Sequence, residues 1–299
     1  MVTLKINWNN DTSMTNETAG IGEMNFFKDR AIYVSFMIAF FSQAIMFSTV
    51  LYLPYFVQGV IGSSATTSGA VITPMMLGLL RSSNITGRLV SRVGKAKILL
   101  AAAFLIMGVG ALLLSTMGVK TSYASAILFM VILGFGVGMS MPITNVNAQN
   151  AAPREQIGSV TSTVMFFRNI GSTIGSAVYG VIMTNSLSDG FSGLMMPQLP
   201  QEIQEMLKNT QVITNPQTVA TIRSQVSELY LSYFDDAYMQ AKTVLANSIH
   251  DVFLFCVVIA AIGFICALFL REAPTTRSLK MSKGETVKTV AIMDELPNR

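Results

Sequence analysis

The sequence predicts an all-α polytopic membrane protein with six transmembrane helices, and three observations carry that prediction. Asp, Glu, Lys and Arg make up 12% of the 299 residues, about half the roughly 25% usual in soluble domains. Hydrophobic residues make up 51% and mean hydropathy is +0.52. Disordered chains, which combine low hydrophobicity with high charge, are thereby excluded. Finally, the apolar residues gather into six runs close to the roughly 20 residues that a helix needs to cross a hydrocarbon core about 30 Å thick. Barrel strands would be about 10 residues long and alternate in polarity. These runs are longer and do not alternate, so helices must satisfy their backbone hydrogen bonds in lipid.

Residues 1–30 are polar and end in Lys28-Asp29-Arg30. They contain no apolar core followed by a small-residue cleavage site, so they read as a tail and not as a signal peptide. Met1 is either a true start or an internal edge. The first span, 31–57, holds no charge. The second, 65–87, contains Pro74 and Arg81; the third and fourth, 98–118 and 122–146, are free of charge in their apolar stretches; the fifth, 159–183, contains Arg168. Residues 184–249 are too many for a plain loop. Within them, Pro200–Lys208 reads as a short helix, and Asn215-Pro216 reads as a cap with proline in the first turn. Val219, Ile222, Val226, Leu229 and Tyr233 then recur at helical spacing as one apolar stripe. Such amphipathic helices either lie on the membrane rim or form a lid over a central cavity. The sixth span is 250–270, and 271–299 is a polar tail.

Basic residues near membrane ends are retained in the cytoplasm. With the N-terminus inside, the inner flanks collect Lys28, Arg30, Arg88, Arg92, Lys95, Lys97, Arg154, Arg271, Arg277, Lys280 and Lys283, whereas the short outer loops hold only Lys120. Both termini are therefore expected in the cytoplasm, segment 184–249 outside, and the protein in the cell membrane. The pI near 9.1 reflects this bias and does not imply nucleic-acid binding. The 2 Cys and 1 His are too few for a disulfide framework or a His/Cys zinc site. Cys256 and Cys266 would lie about 15 Å apart on one helix, beyond disulfide reach. No metal or cofactor is expected.

Charges at membrane depth are costly and mark candidate sites. Arg81 is near enough to a helix end to snorkel. Arg168 is deeper and requires either a structural partner or a water-filled cavity. Gln43 and the amides Asn145, Asn147 and Gln149 also fall within spans, where amides must face other helices or water. Phe47, Met76 and Phe166 supply apolar surface, and Met is suited to promiscuous binding. Gly134/Gly138 and Gly171/Gly175 form GxxxG faces that permit close helix contact. Pro54, Pro74 and Pro142 are expected to bend their helices. Asp251 sits beside His250 at the edge of the last span, and no carboxylate lies deep in any span. A proton relay needs such a group, so any proton carrier is expected outside this chain. The sequence has no Ser-His-Asp set, phosphate loop or metal-ligand cluster, and an enzyme is not expected.

Two stretches carry a resemblance. Gly87-Arg88-Leu89-Val90-Ser91-Arg92-Val93-Gly94-Lys95 resembles the G-x-L-a-D-R-x-G-R/K loop of the major facilitator superfamily. The runs YLPYFVQGVIGSSATTSGAVITP and GFGVGMSMPITNVNAQNAAPREQIGSVTSTVMFFRNIGSTIGSAVYG are similar to the C-terminal part of fourteen-helix drug/proton antiporters. The resemblance spans about residues 25–272. It implies that the six spans form one half of a major-facilitator-type bundle, the last six of fourteen helices. The family's proton-carrying acids and drug-antiporter motif then belong to an N-terminal part absent here. Ser91 stands where the loop motif has Asp; it can cap a helix but cannot form an ion pair, which puts a charge-based gate at this loop in doubt. Gly87, Arg88, Arg92, Gly94 and Lys95 retain the rest of the motif.

The leading functional expectation is the C-terminal half of a proton-coupled exporter of hydrophobic, drug-like compounds. It would work by alternating access with an N-terminal half, and Gln43, Phe47, Met76, Asn145, Phe166 and Arg168 would line the cavity. The expected partners are a small hydrophobic substrate, the proton, the bilayer, and either the missing half or a second copy of this chain. The alternatives are a stand-alone six-helix protein, homodimeric or a partner subunit, and an inactive truncated fragment.

Overall fold

A computed structural model describes residues 29–93, 95–194 and 199–270. The two tails and Gly94 of the loop motif lie outside the described residues. Six long or medium helices form a bundle: α1 (Arg30–Tyr55), α3 (Ile72–Val93), α4 (Ala96–Ser115), α5 (Tyr123–Ala151), α6 (Ile157–Ser192) and α10 (Leu231–Leu268). The short helix α2 (Ala65–Ala70) precedes α3, and α7 (Gln201–Lys208), α8 (Thr210–Ile213) and α9 (Pro216–Gln225) lie between α6 and α10.

Local chemistry explains the ends. Asp29 caps α1 by accepting from the Ala31 amide at 2.8 Å, which satisfies one of the four free N–H groups of a helix start. Pro54 lies inside α1 and offers no N–H, and the ladder loosens just beyond it into a π-helical turn, Phe56–Val60. Gly62 then takes φ +83°, a left-handed conformation that glycine adopts without strain, and Ser64 caps α2. Pro74 falls in the first turn of α3, where its missing N–H costs no helical bond. Pro142 does sit inside α5.

Four helices are long and apolar enough to cross a membrane by length and composition among the described residues: Arg30–Val60, Ala96–Ser115, Tyr123–Ala151 and the helical stretch Glu228–Leu268. The six apolar runs of the sequence therefore divide four and two. Helices α3 and α6 are long, at 22 and 36 residues, but each gives one face to polar side chains. At about 1.5 Å per residue, α6 and the 38-residue α10 also run well beyond a bilayer core. Both take up parts of the 184–249 segment as direct helical extensions.

Helix α5 is central. It packs along α3 on one side and α4 on another, α1 packs along α6, and α10 packs along α4 with further contacts to α1 and α6. The GxxxG pairs are used inside the bundle. A Cβ on Gly138 would collide with the Leu79 carbonyl and Ser82 of α3, and a Cβ on Gly171 would collide with the Phe40 backbone of α1. Gly134 and Gly175 face Met75 and Ala44. Polar side chains link the helices as well: Asn147 donates to Ser35 at 3.1 Å, Gln149 to Thr161 at 3.0 Å and Ser186 to Asp251 at 2.5 Å.

The connecting segment has its own small core of Leu199, Leu207, Val219, Phe234 and Ala237. The apolar stripe expected to run from Val219 to Tyr233 on one helix is broken. Helix α9 ends at Gln225, Val226 is extended, and a 3-10 turn at Glu228–Tyr230 precedes α10. The break rotates the chain so that Phe234 enters the core, leaving Leu229 and Tyr233 73% and 43% exposed. Arg223 clamps α9 to α10 with two hydrogen bonds of 2.8 Å to Asp235.

Candidate functional site

Helix α6 organises the candidate site. Its buried stripe of Val160, Val164, Gly171, Gly175, Tyr179 and Met183 faces the bundle. The opposite stripe of Ser162, Phe166, Asn169, Thr173, Ala177, Thr184 and Ser188 is exposed. The hydroxyls of this helix turn back on its own backbone: Ser162 donates to the Gly158 carbonyl, Thr173 to Asn169 and Ser176 to Thr173. Such back-bonding satisfies the hydroxyl donors within the helix, so the polar groups of this face that still need a partner are amides such as Asn169.

Arg168 sits one turn before Gly171, between α6 and α5. Its Nη2 donates to the Met141 carbonyl at 3.2 Å and to Asn145 Oδ1 at 3.3 Å. The Nε is buried and has no partner among the described residues. Neutral acceptors solvate the guanidinium but do not neutralise it, and a partly satisfied charge in a low-dielectric seam remains able to recruit an anion. Arg168 and Asn145 are the two predicted site residues that the structure brings into direct contact.

The others are spread around the bundle. Gln43 is half-buried on α1 and donates to Met46 Sδ at 3.8 Å on the same helix. Phe47 is half-buried on α1 and Met76 is half-buried on α3 beside the buried Met75. Phe166 is 58% exposed. Two residues from Arg168 on a helix, it projects to nearly the opposite side. Its ring meets Phe167 edge-on at 6.1 Å, and Phe167 stacks on Phe36 of α1 at 5.1 Å.

Helix α3 carries the second polar stripe. Thr73, Leu77, Arg81, Asn84, Arg88 and Arg92 recur every three or four residues and are all exposed. Arg81, Asn84, Ile85 and Arg88 line a shallow cavity of about 400 Å³. In the loop motif, a Cβ on Gly87 would stand at ordinary contact distance, 3.7 Å, from Pro142 of α5. Arg92 closes the last turn of α3, and Lys95 directly precedes α4.

One cavity was not anticipated from the sequence. An open cleft of about 300 Å³ is lined by Tyr52 and Tyr55 of α1, by Gly180, Met183 and Thr184 of α6, and by Thr210 and Gln211 of α8. The two tyrosine rings are 6.3 Å apart. Gly180 leaves room for the Tyr52 hydroxyl, 3.8 Å from where a Cβ would stand. The signal for half of this site was present: aromatic residues at i and i+3 share a helix face. Its α6 and α8 walls come from residues more than a hundred positions away.

Known proteins resemble this chain along most of its length. The sequence profile described as Major Facilitator Superfamily matches residues 10–176. Multidrug transporter protein MdtP of Bacillus subtilis is 33% identical over 277 residues, 90% of this chain and 50% of that protein. Multidrug resistance protein 3 of the same organism is 30% identical over 263 residues, 86% of this chain and 48% of that protein. A tetracycline resistance determinant of Streptomyces rimosus is 29% identical over 240 residues, 76% of this chain and 68% of that protein. The chain thus spans about half the length of the two Bacillus relatives.

Proposed function

Since the chain belongs to the Major Facilitator Superfamily, we propose that it is the C-terminal half of an exporter of hydrophobic, drug-like compounds. The observation that carries the proposal is the pair of exposed polar stripes on α3 and α6. Polar faces at membrane depth need protein or a water-filled cavity against them. A second half of similar size would provide both, and the matched relatives have about twice the matched length. In this reading the termini are cytoplasmic, the half is one of two in a fourteen-helix protein, and the two halves rock to alternate access. Arg168 and Asn145 face the cavity from the α5–α6 seam. Phe166, on nearly the opposite side of α6 from Arg168, presents its ring from the exposed stripe toward the second half, and Gln43, Phe47 and Met76 line the cavity from α1 and α3. The Tyr52–Tyr55 cavity offers aromatic surface to substrate near the far end of α1.

Proton coupling is assigned to the other half. Between residues 31 and 183, Glu155 is the single carboxylate, and it lies in the connection before α6. The relatives, which include a multidrug transporter and a tetracycline resistance determinant, support drug-like substrates. The self-association alternative loses its main support because the GxxxG faces are occupied within the chain.

The test is efflux of a lipophilic fluorescent dye from cells that express the chain alone or joined to the complementary half of MdtP. The joined protein should export dye and lose export when a protonophore collapses the pH gradient. Arg168→Ala at unchanged protein level should abolish it. Export of equal rate by the chain alone would overturn the half-transporter reading.

A further inference from the structure

The side of the bundle formed by α4 and α10 has a groove with features unlike the polar stripes. Leu105, Gly108 and Leu112 of α4 face Val257, Ala261 and Ile265 of α10 across a cavity of about 390 Å³. Small residues set its depth: a Cβ on Gly108 would stand 3.6 Å from the Ala260 Cβ, and Gly263 lets the Phe104 ring close against α10. The helices are antiparallel, since His250 of α10 meets the Ser115 carbonyl at the end of α4 while Gly263 meets Phe104 nearer its start. Leu105, Val109, Leu112, Val258, Ile262 and Ile265 on the surrounding faces are all exposed.

One end of the groove has basic residues near it, Lys95 and Lys97 from the start of α4 and Arg30 from α1. Lys97 heads the α4 stripe that continues through Ala101, Leu105, Gly108 and Leu112 at helical spacing, and Lys95 immediately precedes that helix. At the matching end of α10, the Arg30 guanidinium lies over the Phe269 ring, 5.6 Å from its centroid. At the other end His250 of α10 meets the Ser115 carbonyl of α4, and Asp251 beside it is turned to Ser186 of α6. Leu105 is eight residues from Lys97, about 12 Å along the helix, within the roughly 15 Å depth of one leaflet.

We propose that this groove binds an anionic phospholipid, with one acyl chain against Gly108 and Ala261 and the headgroup phosphate held by Lys95, Lys97 and Arg30. An acyl chain satisfies the wholly apolar walls, and a basic cluster at the membrane surface recognises an anionic headgroup. The site is independent of the transport reading. Its occupant rigidifies the contact between α4 and α10 on the side away from the polar stripes.

The chain is extracted in mild detergent from vesicles of equal parts phosphatidylglycerol and phosphatidylcholine, and retained lipid is counted by native mass spectrometry. Phosphatidylglycerol should be retained over phosphatidylcholine by at least about fivefold, the preference expected from one lysine at an anionic surface. In the Arg30→Gln, Lys95→Gln, Lys97→Gln variant the ratio should fall toward one while lipid is still retained. Gly108→Leu with Ala261→Leu should lower retention of both lipids with helix content unchanged by circular dichroism. Equal retention by the unmodified chain, or an unchanged ratio in the Gln variant, would overturn the proposal. So would a lipid-free dimer that cross-links across Leu105, which assigns the groove to a second copy. The Gln substitutions are at helix ends and decide the question even if the groove-filling variant fails to fold.

Discussion

The α3–α6 side and the α4–α10 side each combine a shorter helix with a much longer one, but their exposed surfaces differ. Helices α3 and α6 expose polar side chains among apolar ones such as Leu80, Ile85, Ile174 and Val181, whereas α4 and α10 expose mainly apolar ones in their membrane-length stretches. On α3 and α6, the outward stripes hold Arg81, Asn84, Arg88, Asn169 and Thr173. On α4 and α10 the outward residues are Leu105, Leu112, Val258 and Ile262. Both pairs are anchored inward by glycines and aromatic residues, so interior packing does not distinguish them. What distinguishes them is the medium each exposed face can tolerate. Hydrocarbon accepts the α4–α10 face, and a bundle presented to lipid on all sides would leave the α3–α6 face with its charge and amides uncovered. One side of the molecule is finished by lipid, and the other needs protein or water.

The most severe way to break this comparison is to separate the helices that define it. Gly138→Leu forces a side chain into the Leu79 carbonyl and Ser82. Overpacking against rigid backbone costs about 3 kcal/mol or more, and the folded yield in detergent, read by size-exclusion chromatography, should collapse. Gly118→Leu, at a position with open space around it, should leave the yield unchanged.

Exchanging the character of the two faces sharpens the contrast with less damage. Leu105→Arg places a charge on the lipid side and should weaken membrane insertion of that segment by about 3 kcal/mol. Arg81→Leu on the opposite face should improve insertion by less, because Arg81 can snorkel toward the interface. A glycosylation-site insertion assay on each segment reads both. If Leu105→Arg inserts as well as the unmodified segment, the α4 face is not lipid-exposed.

Arg168 tests whether the seam is built for stability or for use. Its guanidinium has neutral acceptors and a buried Nε without a partner. Replacing a poorly compensated buried charge by an apolar group of similar length is often neutral or stabilising by about 1 kcal/mol or more. Arg168→Met should therefore keep or raise the thermal midpoint while dye export by the joined protein falls at least tenfold. A lowered midpoint with export retained would make Arg168 a structural tie.

These outcomes bear on what could be read from residue order. Helical structure was legible because apolar runs of membrane length have few alternatives, but helix ends were not, since α10 begins at Leu231 where the last span was expected from 250. The Asn215-Pro216 start of α9 was legible because cap and proline chemistry is local. The end of α9 was not, since Val226 continues the helical spacing and only the pull of Phe234 into a distant core breaks it. Arg168 could be flagged as a costly charge, but its acceptors, the Met141 carbonyl and Asn145, lie on another helix. The exposed and buried sides of α3 and α6 depend on which neighbours α5 and α1 take, and hydropathy along a single helix does not encode that choice.

The smallest effect belongs to the connecting segment, which sits outside the contrast between the two faces and serves as its control. The Arg223 guanidinium holds the Asp235 carboxyl below its ordinary value, chiefly through their hydrogen bonds. A carboxyl depressed in the folded state contributes stability above its unfolded value near 3.9. That contribution disappears as pH falls through the lower folded value, because the unfolded chain takes up its proton first. Both partners are about half exposed, where solvent screens an ion pair strongly. Asp235→Asn should therefore lower the thermal midpoint only slightly at pH 7, by less at high salt, and not at all below the folded value. Dye export should be unaffected throughout. A large loss of export in Asp235→Asn at pH 7 would mean that the α9–α10 clamp controls the transport cavity, and the segment would then have to be treated as a working lid over the α1–α6 face.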